Sequence, residues 1–550
     1  MQRRNLTPEA GGTQARRVCL LAVVWGLIGT GCHDLAVENN NAPDRSVALA
    51  RPGDVVNLIQ GTFVNYWLSI QDCPNGALFL STLADENSSS WANWGMRDMS
   101  SEPRIAWDNS TTYSQRNSTE APWFDSYRGI SNANDALQAI RRAEETESAD
   151  NNLFTREGYD TARLKAFAKM NLGLMHGTLS LLFDQAFILD ERVDLESDVL
   201  ELQPYMEVNA AAIRILGEAR AVASSNSFRY TVADDWFYGL DIDSRRMVRI
   251  INSFIARLMV QVARNPEERA AINWGQVINQ VDMGITEDFS PIGDEDGNDG
   301  EYDCLKRYGQ NGTNWTRADY RTIGPADESG GYENWLATPL QDRLVFDIVT
   351  ADRRINGDPV DPKVDGSDFE YQGTNGPFPP ARGTYHYSSH NHKRYQNYLN
   401  DGLNGAMPHM IVTEMDLYKA EALLRTGGSL NIVADLINKT RVSRGRLNPA
   451  MGSDGAGFPS DAQSIRDSAS LWAKLKHERR IETFQTAAGL AYYDDRGLGD
   501  LVTGTPVHFP VPGRELETLG LQNYTFGGVG GIGGALAAYR GRDYDDVRPR

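Results

Sequence analysis

Residues 410–445 read MIVTEMDLYKAEALLRTGGSLNIVADLINKTRVSRG. Apolar side chains recur at helical spacing on both sides of a short break: Leu417, Ala420 and Leu424 precede it, with Glu421 among them, and Ile432, Val433, Leu436 and Ile437 follow it. The break is Gly427-Gly428-Ser429. Glycine there takes a left-handed C-cap, and serine stands where the N-cap of the next helix belongs. A turn this short folds the two helices antiparallel.

Small Ala420 and Ala422 allow the close approach that helix pairs of tetratricopeptide type require. Working outward, other segments keep the same period. DVVNLIQGTFVNYWLSI (54–70) sets Val55, Leu58, Phe63 and Trp67 near one stripe; WFDSYRGISNANDALQAIRRAEE (123–145) spaces Phe124, Tyr127, Ile130, Ala133, Leu137 and Ile140 by three and four. ARLKAFAKMNLGLMHGTLSLLFDQAF (162–187) is apolar on more than one side, so a central helix is expected, and 205–223 and 244–264 continue the pattern. No strict sequence period links these pairs, so the repeats are structural rather than textual. Between about 285 and 410 the chain turns rich in Gly, Asp, Asn, Tyr and Trp. Long irregular stretches inside a globular body usually carry function.

At 550 residues the chain is long enough to bury a large core, and its net charge of -20 argues against nucleic-acid binding, which needs a concentrated basic patch. Arg3, Arg4, Arg16 and Arg17 precede the uncharged run VCLLAVVWGLIGTG (18–31), too short for a comfortable membrane span but right for an export signal. Small Gly29, Thr30 and Gly31 then lead into Cys32, an arrangement that resembles a bacterial lipobox except that Gly29 stands where leucine is commonest. Cys32 is accordingly expected to be lipidated, against the alternative of a plain secretory signal. The resulting organisation is signal peptide 1–31, tether 32–53, helical body 54–526 with its loop-rich insertion at about 285–410, and a Gly-rich tail 527–550. Cys73 and Cys304 would remain, as a disulfide or as two separate buried thiols.

With these features in place, the chain resembles the SusD/RagB family of nutrient-binding outer-membrane lipoproteins. The match rests on Cys32 with its NNNAPD tether and on the late helix pair, whose AEA and N-x-x-R elements are here Ala420-Glu421-Ala422 and Asn438 to Arg441. It rests also on LKHERRIETF (475–484) followed by Pro510, Pro512, Glu515-Leu516 and Gln522-Asn523. Where the family often has Glu-Gly-x-Arg and an Asp-Leu-Arg-Arg-like run, this chain has TAAGLAYYDDRG (486–497), so the ion pairs of relatives are not carried over to it. The resemblance implies a mainly α fold: four tetratricopeptide-like helix pairs as a scaffold, with irregular ligand-binding loops on its other side. It also implies a TonB-dependent, SusC-like barrel as partner and an oligosaccharide or other nutrient as cargo.

Several constellations test other chemistries. DEDGNDGEYD (294–303) fails as an EF-hand, because counting from Asp294 the sixth and twelfth positions hold Asp299 and Leu305 instead of Gly and Glu. It reads as a solvated acidic turn, with a looser structural cation site as the alternative. His386, His390 and His392 have no carboxylate or cysteine at ligand spacing, so no metal or other cofactor is assigned. Glu478 and Glu482, one helical turn apart beside Arg479 and Arg480, read as a structural ion-pair row. No nucleophile elbow, P-loop or H-E-x-x-H occurs. The aromatic loops are the best lead. SSSWANWGMRD (88–98) offers Trp91, Asn93, Trp94 and Arg97; NWTRADYR (314–321) and GYENW (331–335) add Trp315, Tyr320 and Trp335. Ring faces suit the C–H face of a sugar while Asn93 and Arg97 reach its hydroxyls. The competing reading of each ring is a pin that fastens its loop to the helical body. A non-enzymatic glycan binder is therefore expected, with a lipid-anchored glycoside hydrolase or a protein-binding tetratricopeptide adaptor as alternatives.

Overall fold

Pro52 fixes a helical φ at the one place where a missing N–H costs nothing, and the first long helix, α1 (Pro52–Ile70), starts there. The computed structural model describes residues 49–73, 76–148, 151–194, 197–294, 303–310, 315–373, 386–457 and 470–535. Cys32, the export signal, nearly all of the tether, most of the acidic turn and residues 536–550 of the tail lie outside the described residues.

Helix α1 packs on α2 (Asn117–Thr146), α2 on α3 (Thr161–Leu182), and α3 on α4 (Tyr205–Ser225). Then α5 (Ser244–Gln261) follows on α4, and α6 (Trp274–Asp282) on α5. After the loop-rich insertion, α7 (Val412–Arg425) packs directly against α6, α8 (Leu430–Arg441) against α7, and α9 (Leu471–Glu482) against both α7 and α8. The helical array is interrupted in sequence at 283–411 but not in space. The scaffold is thus mainly helical, as the periodicity anticipates. No helix of the described residues is long and apolar enough to cross a membrane.

Helix α3 is buried on nearly every side and touches α1, α2, α4 and α5, as its all-round apolar sequence requires. Glycines permit that crowding: a Cβ on Gly129 of α2 would lie 2.7 Å from Asn65 Cβ, and one on Gly173 of α3 would lie 2.7 Å from Leu216 Cγ. Two stripes differ from the sequence reading, and on the second Tyr127 is only half-buried as well. Ile59 is buried instead of Leu58, and Trp123 instead of Phe124, because the buried face follows 3.6 residues per turn and not a strict step of three or four. In the 427–429 turn, Gly427 has φ +69°, while Ser429 occupies the N-cap without a side-chain cap hydrogen bond.

Buried charge stitches the motifs together. Glu421 of α7 accepts from Arg269 (2.7 and 3.0 Å), Arg425 (2.8 Å) and Arg479; Asp494 also pairs with Arg269 (3.2 Å) and Arg479 (2.8 Å). The YYDD run therefore does join an ion-pair network. Arg354 meets Asp352, Glu478 and Glu482 at 2.7 Å each, all with side chains no more than 1% exposed. The Glu478/Glu482 row is structural but its partners differ from the expected ones: Arg354 meets both, Arg394 and Arg444 meet Glu482 at 3.2 Å each, and Arg479 and Arg480 face Glu421, Asp494 and Asp495. On α8, Asn438 exchanges hydrogen bonds with the backbone of Ala450 (2.7 and 2.8 Å), and buried Arg441 donates to the Asn448 carbonyl (2.7 Å).

The insertion builds a second core. Tyr320, Ile323, Tyr332, Trp335, Ile348, Phe369, Ile481 and Phe484 form it, so it rests on the end of α9. Short antiparallel ladders tie distant segments together: Asn87–Ser88 with Arg317–Ala318, Phe369–Tyr371 with His390–His392, and Ile292–Gly293 with Gly405–Ala406. Cys73 and Cys304 form a disulfide, with Cα atoms 5.5 Å apart, which settles the alternative the sequence leaves open. Residues 527–535 are held to the body: Gly528 N–H donates to the Gly504 carbonyl (2.8 Å), and Val507 N–H to that of Gly533 (3.0 Å).

Candidate functional site

Three separate stretches deliver aromatic rings to one place. Trp91 and Trp94 sit on the segment after the Asn87–Ser88 strand, Trp315 lies just before its partner strand Arg317–Ala318, and Tyr308 is on the short helix Cys304–Gly309. Trp94 and Trp315 stack, with centroids 5.3 Å apart and planes 13° apart. Tyr308 meets the Trp315 ring at 4.5 Å and that of Trp94 at 5.1 Å, and Trp91 lies 6.2 Å from Trp315. Trp91 remains 44% exposed, while Trp94, Tyr308 and Trp315 are half-buried.

The supports are specific. Ser89 Oγ donates to the Trp315 carbonyl (2.8 Å) and accepts from Trp91 N–H (3.3 Å); Arg97 N–H donates to the Trp91 carbonyl (2.8 Å). Trp94 N–H donates to Gln115 Oε1 (2.6 Å), and Ser118 Oγ donates to the Trp94 carbonyl (2.8 Å). These bonds hold Trp94 at φ +53°, a left-handed conformation that costs a non-glycine residue about 1–2 kcal/mol. Strain of this kind persists only where neighbours over-determine it. Tyr308 is fixed through its helix: Asp303 caps the Lys306 N–H (3.0 Å), Cys304 N–H donates to the Gln71 carbonyl (2.9 Å), and the disulfide pins the first turn. Asp303, the last acidic residue of the 294–303 turn, is thus committed to this helix and to Lys306 Nζ (2.6 Å).

Polar groups surround the rings. The Arg97 side chain is half-exposed and pairs with Asp98 (2.8 Å), which also accepts from Tyr113 Oη (2.6 Å). Burial and then the Asp98 hydrogen bond push the Tyr113 hydroxyl up, so it stays a donor. Asn93 is exposed, and the Arg307 guanidinium lies 5.2 Å from the Tyr308 ring centroid. Beneath the ladder, burial raises Glu86 to about 7 against the pull of Gln485 N–H, and raises Asp319 to about 6. Aromatic rings thus stand beside hydrogen-bonding groups at one place, an arrangement suited to stacking.

Tyr320 and Trp335 are corrected. They are 2% and 5% exposed in the insertion core: Tyr320 stacks on Phe346 (4.5 Å, 18°) and donates to its carbonyl (2.7 Å), and Trp335 stands edge-on to His386 (4.7 Å) beneath Arg343 (4.3 Å). Both are pins that fasten their loops. His386, His390 and His392 are buried as well, and burial lowers His390 to about 4. Among the described residues no group of three His, Cys, Asp or Glu side chains is placed to hold a metal ion. Tyr308 was missed by the sequence reading; its signal was its place four residues after Cys304, once that cysteine is joined to Cys73.

No family model and no curated protein matches the chain. Solved structures do. The chain is similar to a SusD homolog from Parabacteroides distasonis at 14% identity, covering 87% of this chain and 93% of that one with a TM-score of 0.52. It is similar to a SusD superfamily protein from Bacteroides vulgatus at 14% identity, covering 86% and 97% with a TM-score of 0.51. A protein from Bacteroides fragilis, named as a SusD-like carbohydrate binding protein, matches at 14% identity over 82% and 86% with a TM-score of 0.50. The array of helices carrying an irregular insertion is therefore a known architecture: the chain has the SusD-like fold.

Proposed function

We propose that this protein binds a neutral oligosaccharide on the Trp91, Trp94, Tyr308 and Trp315 platform without cleaving it. The observation that carries the reading is the stacked Trp94–Trp315 pair with Tyr308 against both rings and Trp91 exposed beside them. Flat aromatic surface at a hydrogen-bonding rim matches the alternating C–H faces and hydroxyl edges of sugar rings, and needs no charge on the ligand. The carbohydrate-binding protein of the same fold from Bacteroides fragilis supports the ligand class.

In this reading Cys32 carries a lipid that holds the protein at the outer membrane, facing the cell exterior, and the cargo passes to a TonB-dependent, SusC-like barrel that the protein caps. The test is electrophoresis of the full chain in gels containing starch, xylan, β-1,3-glucan or galactomannan, with reducing ends assayed in parallel. Retardation without new reducing ends is the expected result. New reducing ends would replace the binder with a hydrolase. Detergent extraction of the native protein should bring down a barrel, and labelled fatty acid should enter the wild type and not C32A.

A further inference from the structure

Past the end of α3 the chain makes a hairpin, Gln185–Phe187 against Leu202–Pro204, and the connection between its strands borders a cavity of about 370 Å³. That volume lies inside the range of about 300–1,000 Å³ usual for small-molecule sites. The apolar lining comes from Phe187, Ile188, Leu189, Val193, Val199 and Leu200. Val199 is 86% exposed and Leu200 42%, so two branched side chains that line the cavity also face water. Apolar surface left in water next to a cavity marks a place where a partner binds.

The first half of the connection is fastened to α2 and α3. Phe187 N–H donates to Tyr127 Oη (2.6 Å), which donates back to the Phe187 carbonyl (3.0 Å). The carbonyls of Leu189 and Glu191 accept from Asn134 (3.1 Å) and Gln138 (3.4 Å) of α2. Leu189 N–H donates to Nε2 of buried His176 (3.1 Å), whose Nδ1 is turned to the Leu172 carbonyl (2.8 Å). Burial lowers His176 to about 4, so near neutral pH its Nε2 stays an acceptor. These bonds hold one wall of the cavity open before any ligand arrives.

The charge of the lining has one sign. Asp198 and Glu201 border the cavity, and among the described residues no cation does. The nearby cations are committed elsewhere: Arg192 and Arg214 each reach Asp190 (2.8 Å) and Glu218 (3.1 and 2.7 Å), and Lys169 reaches Glu191 (2.6 Å) and Glu218 (2.7 Å). Asp198 accepts from Asp194 N–H (2.8 Å), whereas exposed Glu201 has no ion pair among the described residues. An anion is repelled there, and a net charge of -20 adds to that repulsion while drawing cations in. The complement of an apolar wall edged by two carboxylates is an apolar body that carries a positive group. We propose that this cavity is a binding site for a small amphipathic cation, its aliphatic or aromatic body seated on Phe187, Leu189, Val193 and Leu200 and its ammonium group at Asp198 and Glu201. The site is separate from the aromatic platform and does not depend on glycan binding.

Calorimetric titration of the full chain with phenethylamine and hexylamine tests the site. Phenylpropionate, which keeps an apolar body and reverses the charge, and methylamine, which keeps the charge without the body, are the controls. Two variants accompany them: D198N/E201Q removes both carboxylates from an exposed stretch of the loop, and V193W fills the cavity. Circular dichroism confirms that each is folded. Expected is binding of at least one of the two larger amines to the wild type, about tenfold weaker in D198N/E201Q and lost in V193W, with both controls failing to bind. Failure of both larger amines, a control that binds as tightly as they do, or a folded variant that binds as tightly as the wild type overturns the proposal.

Discussion

In E421Q, three guanidiniums lose the carboxylate on which they converge. Glu421 has no exposed side-chain surface, and Arg269 and Arg425 approach it to 2.7 and 2.8 Å, with Arg479 also in contact. At an effective dielectric of about 20, a unit-charge pair at about 4 Å is worth about 4 kcal/mol before desolvation is subtracted. Asp494 stays on Arg269 and Arg479, so the loss is not the sum of three such pairs. Breaking a buried pair from one side costs about 3–5 kcal/mol net, a large share of a total folding stability of about 5–15 kcal/mol. Glutamine keeps the shape, so charge alone is tested. The pH dependence follows from the sign of the shift. Arg269, then Arg479, hold the Glu421 carboxyl well below the ordinary range despite burial. Its contribution is therefore complete above the unfolded value of about 4.3 and is lost as pH falls through the depressed folded value. Urea unfolding followed by circular dichroism should show a wild-type to E421Q gap that is constant from about pH 8 to 5 and narrows below about pH 4. A gap under about 1 kcal/mol at neutral pH would refute the reasoning, because the network would then be dispensable.

Two further outcomes follow from other contacts. Reduction of Cys73–Cys304, which closes a separation of 231 residues, should lower stability by about 2–4 kcal/mol and weaken glycan retardation by freeing the helix that carries Tyr308; thermal melting and gels with and without reductant check both. Glu86 is protonated in the fold up to about pH 7 but ionises near 4.3 when unfolded, so wild-type stability should fall between about pH 5 and 7. E86Q should flatten that fall and exceed the wild type above pH 7 by on the order of 3 kcal/mol, as urea midpoints will show.

The scaffold was legible because helix pairing is written locally: the spacing in 410–445 and the Gly-Gly-Ser break need nothing from elsewhere in the chain. The candidate site was legible only in part. Trp91, Trp94 and Trp315 stand out by composition, but so do Tyr320 and Trp335. Nothing within a few residues distinguishes a ring that faces solvent from one that packs on Phe346 or His386. The difference is made by pairings across the chain, Ser88 with Arg317 and Cys73 with Cys304, which local periodicity does not encode. Tyr308 was overlooked for the same reason. Glu478 and Glu482 read as structural from their spacing, yet Arg354, which meets both, lies more than a hundred residues away. Long-range ion pairing leaves no local signal.

The measurement that bears most directly on the central claim compares W94A and W315A with the wild type in the polysaccharide gels, with circular dichroism confirming that each variant is folded. If the stacked rings form the binding surface, whichever glycan retards the wild type no longer retards either variant. Unchanged retardation of both folded variants, or no retardation of the wild type by any of the four polysaccharides, would contradict it.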